Sequence, residues 1–191
     1  MIKQNKFVSD FMFIRNFIWG NILKTLEELQ EELKKVLKKR RYIHTLGVRY
    51  TAQSMAMRFG VDIEKAGYAG LLHDCAKNLS DTQMLLECKK NQMKCSEAER
   101  LKPALLHAKV GANFAKKLYG ITDEQILSAI RWHTTGKPSM SELEKVIFIA
   151  DYIEPNRNVL PEMEDIRKEA YTDIDKCLLH ILKNCVTYLD K

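Results

Sequence analysis

Apolar residues recur along this chain with the three-to-four-residue step of a helix, and no stretch sustains the two-residue alternation of a strand. Leu23, Leu26, Leu29, Leu33, Val36 and Leu37 predict a helix over 21–39. His44, Val48, Ala52, Met55 and Phe59 share one face of a second helix, running from about Tyr42 to Phe59 with Gly60 as its stop. Asp62 is placed to cap a third, which ends at His73-Asp74. Residues 104–118 put His107, Gly111 and Phe114 on one side, and residues 123–133 do the same with Ile126, Ala129, Ile130 and His133. Ile174, Cys177, Leu178, Ile181, Leu182 and Cys185 predict a last helix over 173–189.

Helix starts are also legible as a hydroxyl residue followed three positions on by Glu or Gln. The pairs are Ser80 with Gln83, Ser96 with Glu99, Thr122 with Gln125, and Ser141 with Glu144. Gly120, Gly136 with Pro138, and Pro155 punctuate the stops. The apolar run Val146–Ile149 is short enough for a strand, but its cap and the length of the pattern favour a helix. With no Asn-Gly hairpin and no internal repeat, the expected architecture is an all-α bundle.

Composition narrows this only slightly. A chain of 191 residues, 46% hydrophobic and 29% charged, is that of a soluble domain able to bury a substantial core. The expected organisation is an N-terminal extension over 1–20 and one domain over 21–191. Residues 1–20 alternate Phe7, Val8, Phe11, Phe13, Phe17 and Trp19 with Asp10, Arg15 and Asn16. That interrupts any run of the ~20 apolar residues a membrane span needs, and no signal-peptide pattern is present. An amphipathic helix is expected there, packed on the domain or on a second subunit in a homodimer. Lying on a membrane surface is the weaker alternative. Five cysteines, odd in number and without a C-x-x-C, read as free thiols in a reducing cytoplasm. The net charge of +6 suits an anionic partner, although lysine excess more often means solvation. The lysine-rich run Lys34 to Arg41 reads as the solvated C-terminal end of the first helix, where cations complement the dipole. A funnel for a polyanionic substrate is the sharper reading of the same run.

The chemistry concentrates at Leu71-Leu72-His73-Asp74-Cys75-Ala76-Lys77. An imidazole and a carboxylate stand side by side at the end of an apolar helix entered through Ala66, Gly67, Ala69 and Gly70. Alone, such a pair is commonly just a polar helix end. His44 precedes it, His107 and His133 follow, and Asp151 comes after the second apolar run, so four of the five histidines fall into one ordered set. Two nitrogens and two carboxylates from His44, His73, Asp74 and Asp151 suit iron, manganese or zinc and exclude a soft thiolate site. Lys77 and Arg157 are cations placed to reach phosphate, and Thr134 and Thr135 lie in a loop before Gly136. For Thr135 and Glu154, capping and loop polarity explain the residue equally well. His180 lies outside the series and reads as structural.

The order His44, His73-Asp74, His107, His133, Asp151 resembles the HD-domain metal-dependent phosphohydrolases. Four strings narrow the resemblance to the YqeK family of symmetrical diadenosine tetraphosphate hydrolases. They are Arg41-Tyr42-Ile43-His44-Thr45, His73-Asp74-Cys75-Ala76-Lys77, Arg131-Trp132-His133-Thr134-Thr135-Gly136, and Ala150-Asp151-Tyr152-Ile153-Glu154-Pro155-Asn156-Arg157. The resemblance implies that His44, His73, Asp74 and Asp151 bind a metal, iron foremost. It also implies a second metal, with Asp74 bridging and His107 and His133 completing its shell; without that metal, the two histidines face phosphate oxygens. It places His44, Asp74, Cys75, Ala76, Lys77, His107, His133, Thr134, Asp151 and Arg157 on the nucleotide, and gives Asp74, His107, His133 and Lys77 catalytic roles. Such relatives usually continue past the last helix into a tail with a Thr and an Arg-Asn pair near the nucleotide. This chain stops at Tyr188-Leu189-Asp190-Lys191, so part of the nucleotide pocket is expected to be missing or made differently.

The leading expectation is therefore hydrolysis of diadenosine tetraphosphate to two ADP. The alternatives are another HD-type hydrolase of nucleotides or phosphomonoesters and, from a different class, a helical nucleic-acid-binding module. Against the last, few aromatics interleave with the lysines and no recognised nucleic-acid-binding motif is present.

Overall fold

The computed structural model describes residues 24–157 and 162–189, so the expectation of an amphipathic helix over 1–20 falls outside them. The described residues form ten α-helices and no strand. In chain order these are α1 (Leu26–Val36), α2 (Lys39–Phe59), α3 (Ile63–Leu72), α4 (Asp81–Lys90) and α5 (Glu97–Leu101), then, after a 3-10 turn at Pro103–Leu105, α6 (Leu106–Lys117), α7 (Glu124–Trp132), α8 (Glu142–Ile153), α9 (Met163–Glu169) and α10 (Ile174–Leu189). No helix among them is long and apolar enough to cross a membrane.

Two helices form the centre. Every residue of α3 from Ala66 to Leu72 is buried, as is the α8 stretch from Val146 to Ala150. A helix apolar all round has to be surrounded, and α2, α7 and α10 supply the surrounding faces through Val48, Ala52 and Met55, through Ile126 and Ile130, and through Cys177 and Ile181. Leu29 and Leu33 tie α1 to the same core. A smaller cluster of Ala76, Met84, Cys88, Leu106 and Val110 lies under the α4 excursion. Gly70 permits close approach of α2 and α3: a methyl group there would stand 3.0 Å from the Arg49 Cα. That approach carries the end of α3 to the first turns of α2.

The capping pairs at Ser80, Ser96 and Ser141 all form reciprocal capping boxes, and the Asp62 carboxylate accepts from the Glu64 and Lys65 amides. Gly60 ends α2 in the left-handed region. Two expectations are corrected. The start assigned to Thr122 belongs to Asp123, whose carboxylate accepts from the Gln125 and Ile126 amides. The helix expected over 21–39 ends at Val36, because Leu37 turns extended and buries its side chain in the core. Lys39, Arg40 and Arg41 therefore open α2 instead of closing α1, in a first turn that contains no acid.

Candidate metal centre

Five helix ends deliver the sequence-predicted residues to one place. His44 lies on the second turn of α2, His73 caps α3, His107 opens α6, His133 caps α7, and Asp151 sits in the last turn of α8. All four imidazoles are buried, as is Asp74.

Their tautomers follow from the groups behind them. Nδ1 of His73, His107 and His133 donates to the carbonyl three residues back, Gly70 at 2.7 Å, Ala104 at 2.6 Å and Ile130 at 2.7 Å. His44 Nδ1 donates instead to Glu154 Oε1 at 3.0 Å. With each Nδ1 carrying the hydrogen, every Nε2 presents a lone pair inwards. The Nε2 atoms of His44 and His73 are 3.3 Å apart, and those of His107 and His133 3.1 Å. His44 Nε2 is 3.0 Å from Asp151 Oδ1 and 3.8 Å from Asp74 Oδ2; His73 Nε2 is 3.5 Å from Asp74 Oδ2. Asp74 Oδ1 faces the other pair, 3.3 Å from His107 Nε2 and 3.6 Å from His133 Nε2.

This donor set fits a divalent cation. Lone pairs that face one another without hydrogens between them repel, and Asp74 Oδ1 is buried with no hydrogen-bond partner. Each feature costs free energy that a cation would offset. His44, His73 and Asp151 bring ligand atoms within 4.8 Å of one another, and so do His73, Asp74 and His133. The two groups share His73, and Asp74 stands between the histidine pairs. Burial opposes the charge on Asp74, and positive charge on the His73 and His133 side holds the carboxyl well below its usual range, a charge that a bound cation would supply where both Nε2 lone pairs are free. Asp151 is likewise kept ionised against burial, with the Arg157 guanidinium donating to its carboxylate. Burial, then His133 and Lys77, push His107 down to about 3, so it is neutral at physiological pH.

Cations surround the cluster. Lys77 Nζ lies 3.0 Å from His107 Nε2, and burial lowers its pKa against the pull of Asp74. Thr134 Oγ1 stands 3.0 Å from the same nitrogen. Arg157 donates to the Asp151 carbonyl at 2.7 Å and to Asp151 Oδ1 at 2.5 Å, and Arg41 Nη1 donates to Asp74 Oδ2. A cleft of about 1050 Å³ opens beside the cluster, lined by Lys38, Lys39, Arg40, Arg41, Lys77 and Arg157, with Glu154 the one carboxylate among the described residues that line it.

Not every predicted residue turns towards the centre. The Cys75 thiol donates to the Gly111 carbonyl at 3.5 Å, and Ala76 is buried in the smaller apolar cluster. Thr135 bonds within its own loop, to the Gly136 carbonyl at 3.1 Å. His180 lies elsewhere, bridging Glu169 and Glu162 at 2.8 and 3.0 Å. The basic run, read from sequence mainly as a solvated helix end, instead walls the cleft, and Glu154 reaches the site from the α8 cap. The signal that could have found the wall is a helix beginning with cations and no acid, against its dipole.

Comparison with known proteins accords with this geometry. The HD domain family matches residues 41–156. The chain is 43% identical over 165 residues to the symmetrical bis(5'-nucleosyl)-tetraphosphatase of Bacillus subtilis, covering 86% of this chain and 88% of that one. It is 42% identical to the protein of the same description from Halalkalibacterium halodurans, over 83% and 84% of the two chains. A Clostridium acetobutylicum crystal structure, described as a predicted HD superfamily hydrolase involved in NAD metabolism, superposes with a TM-score of 0.84 at 39% identity and covers 88% of each chain.

Proposed function

The chain belongs to the HD-domain family and, within it, to the symmetrical bis(5'-nucleosyl)-tetraphosphatases, and from that premise we propose that it hydrolyses diadenosine tetraphosphate to two ADP with a divalent metal. The observation that carries the proposal is a buried cluster of inward lone pairs and carboxylates opening on a cleft walled by six cations. A divalent ion held there would activate water for attack at neutral pH and withdraw charge from the phosphoryl oxygens.

His44, His73, Asp74 and Asp151 are the proposed ligands, iron the proposed ion, and manganese or zinc the alternatives. His107 and His133, with Asp74 between the pairs, would hold a second ion. Their geometry favours that role over direct phosphate contact, because each Nδ1–H is spent on a carbonyl and each Nε2 offers a lone pair. An anionic oxygen is repelled by such nitrogens; a cation is not. Lys77, Thr134 and Arg157 would bind one ADP half beside the cluster, and Cys75 and Ala76 could take part only through their backbone. Lys38, Lys39 and Arg40 would neutralise the other half. Lys38 precedes, and Lys39 and Arg40 open, the helix that delivers His44, and the five residue steps from Lys39 to His44 span about 7.5 Å of helix axis. Phosphoryl transfer depends mainly on this kind of positioning and charge neutralisation. Five free cysteines suit the cytoplasm as the enzyme's location. The comparisons give no support to the nucleic-acid-binding reading.

The test is metal analysis of protein purified without chelator, with a panel of diadenosine tetraphosphate, NAD, nucleotides and phosphomonoesters read by product identity. Preferential conversion of diadenosine tetraphosphate to ADP, lost on chelation, is expected. Inertness towards it, or equal turnover without metal, would overturn the proposal.

A further inference from the structure

We infer that Glu154 is a positioning residue for metal binding, and that Gly47 supplies the space in which its carboxylate stands. The inference rests on the metal reading of the cluster. His73, His107 and His133 each take their orientation from a carbonyl in their own chain segment, three residues back. His44 alone takes it from a side chain 110 residues away, through Nδ1 to Glu154 Oε1 at 3.0 Å.

Glu154 is fully buried, and its geometry is fixed from every side. Oε2 accepts from the Asn156 amide at 2.7 Å and from Asn156 Nδ2 at 3.0 Å. Arg167 holds the adjoining backbone, donating to the Ile153 and Glu154 carbonyls at 2.9 and 3.1 Å. The α2 helix leaves room for the carboxylate at one position: a methyl group on Gly47 would stand 2.2 Å from Glu154 Oε2. Gly47 is three residues beyond His44, on the same side of α2. Glu154 in turn is three residues beyond Asp151, so the α8 turn that delivers one proposed ligand also aims another.

A carboxylate behind a ligating imidazole fixes the tautomer and makes the ligand more basic than a carbonyl would, and losing such a partner typically costs 10- to 100-fold in metal affinity. Glu154→Gln keeps the shape but offers an amide, which can turn its NH₂ to His44 and leave the hydrogen on Nε2. Gly47→Ala leaves Glu154 intact and displaces its carboxylate.

The experiment is competition between metal-free protein and a chelator for manganese, on wild type and both variants. A fall of about 10- to 100-fold in manganese affinity is expected in each, with helical circular dichroism preserved in both and the metal-free melting temperature preserved in Glu154→Gln but lowered in Gly47→Ala by the overpacking. In metal-free protein with ¹⁵N-labelled histidine, the His44 hydrogen is expected on Nδ1 in wild type and distributed over both nitrogens in Glu154→Gln. Wild-type affinity in either folded variant would overturn the inference; should one variant fail to fold, the other decides. Wild-type protein that takes up no manganese, iron or zinc would overturn the metal reading beneath it, an outcome distinct from unaffected variants.

Discussion

His44 and His73, on different helices, present their Nε2 atoms to each other at 3.3 Å, with the hydrogen of each ring committed on the far side. Two lone pairs at that separation need a cation, and the Asp74 and Asp151 carboxylates around them supply its countercharge. His73→Ala or Asp74→Ala should therefore lose bound metal and lower turnover by more than ~100-fold, beyond the usual effect of removing a partner of a ligand. The helical circular dichroism spectrum should survive, since the apolar faces of α3 and α8 are untouched. Wild-type activity in either variant would refute the assignment.

The ligand series was legible because HD proteins space it along the chain, and the caps because a carboxyamide or carboxylate three residues after a hydroxyl has a direct hydrogen-bonding consequence. Asp123 displaced Thr122 because a carboxylate can accept from two successive amides where the hydroxyl offers a weaker acceptor. The break after Val36 was not legible: neither Gly nor Pro marks it, and it is imposed by burial of Leu37. Glu154 was illegible for a similar reason. Its partner is 110 residues distant, and only the packing of α2 on the end of α8 brings them together.

Lys77 should serve substrate and not metal, since an ammonium has no lone pair to donate. Lys77→Ala is expected to keep its metal content and lose about 1.5–3 kcal/mol of phosphate interaction, roughly a 10- to 150-fold fall in kcat/KM. Metal analysis beside steady-state kinetics separates the two roles. Loss of metal together with activity would put Lys77 in the metal shell.

The cationic wall makes a separate prediction. Lys38, Lys39 and Arg40 are exposed, so their attraction for a polyphosphate is screened by salt. Replacing all three by Ala should raise KM for diadenosine tetraphosphate several-fold and flatten its dependence on ionic strength. Metal content should not change. An unaltered salt dependence would show that the wall faces no phosphate.

His180 joins α10 to Glu169 and Glu162 through both ring nitrogens. Its pKa is raised, chiefly by hydrogen bonding to Glu162 and Glu169. A raised folded-state pKa stabilises most below the unfolded value of ~6.5, and the contribution disappears as pH climbs through the folded value. His180→Ala should thus lower the melting temperature more at pH 6 than at pH 9. A larger loss at pH 9 would mean that the neutral ring carries the contact.

The last prediction concerns where the polyphosphate is cut. Diadenosine tetraphosphate can be split into ADP and ADP or into AMP and ATP. One ADP unit beside the cluster, held by Lys77, Thr134 and Arg157, would bring its terminal phosphorus next to the proposed metal ligands. The second unit would then lie along Lys38, Lys39 and Arg40, where two phosphates find cations to take up the charge that develops on the leaving oxygen. Cleavage to AMP and ATP would shift the chain by one phosphate in either direction, leaving one or three phosphates on the cluster side in place of two. Hydrolysis in oxygen-18 water, with products separated by chromatography, tests this arrangement. ADP alone is expected, with one labelled oxygen in half of the molecules, because a single water enters per bond broken and only the half that is attacked retains it. AMP and ATP in equal amounts would move the scissile bond by one phosphate and refute the placement of the two halves.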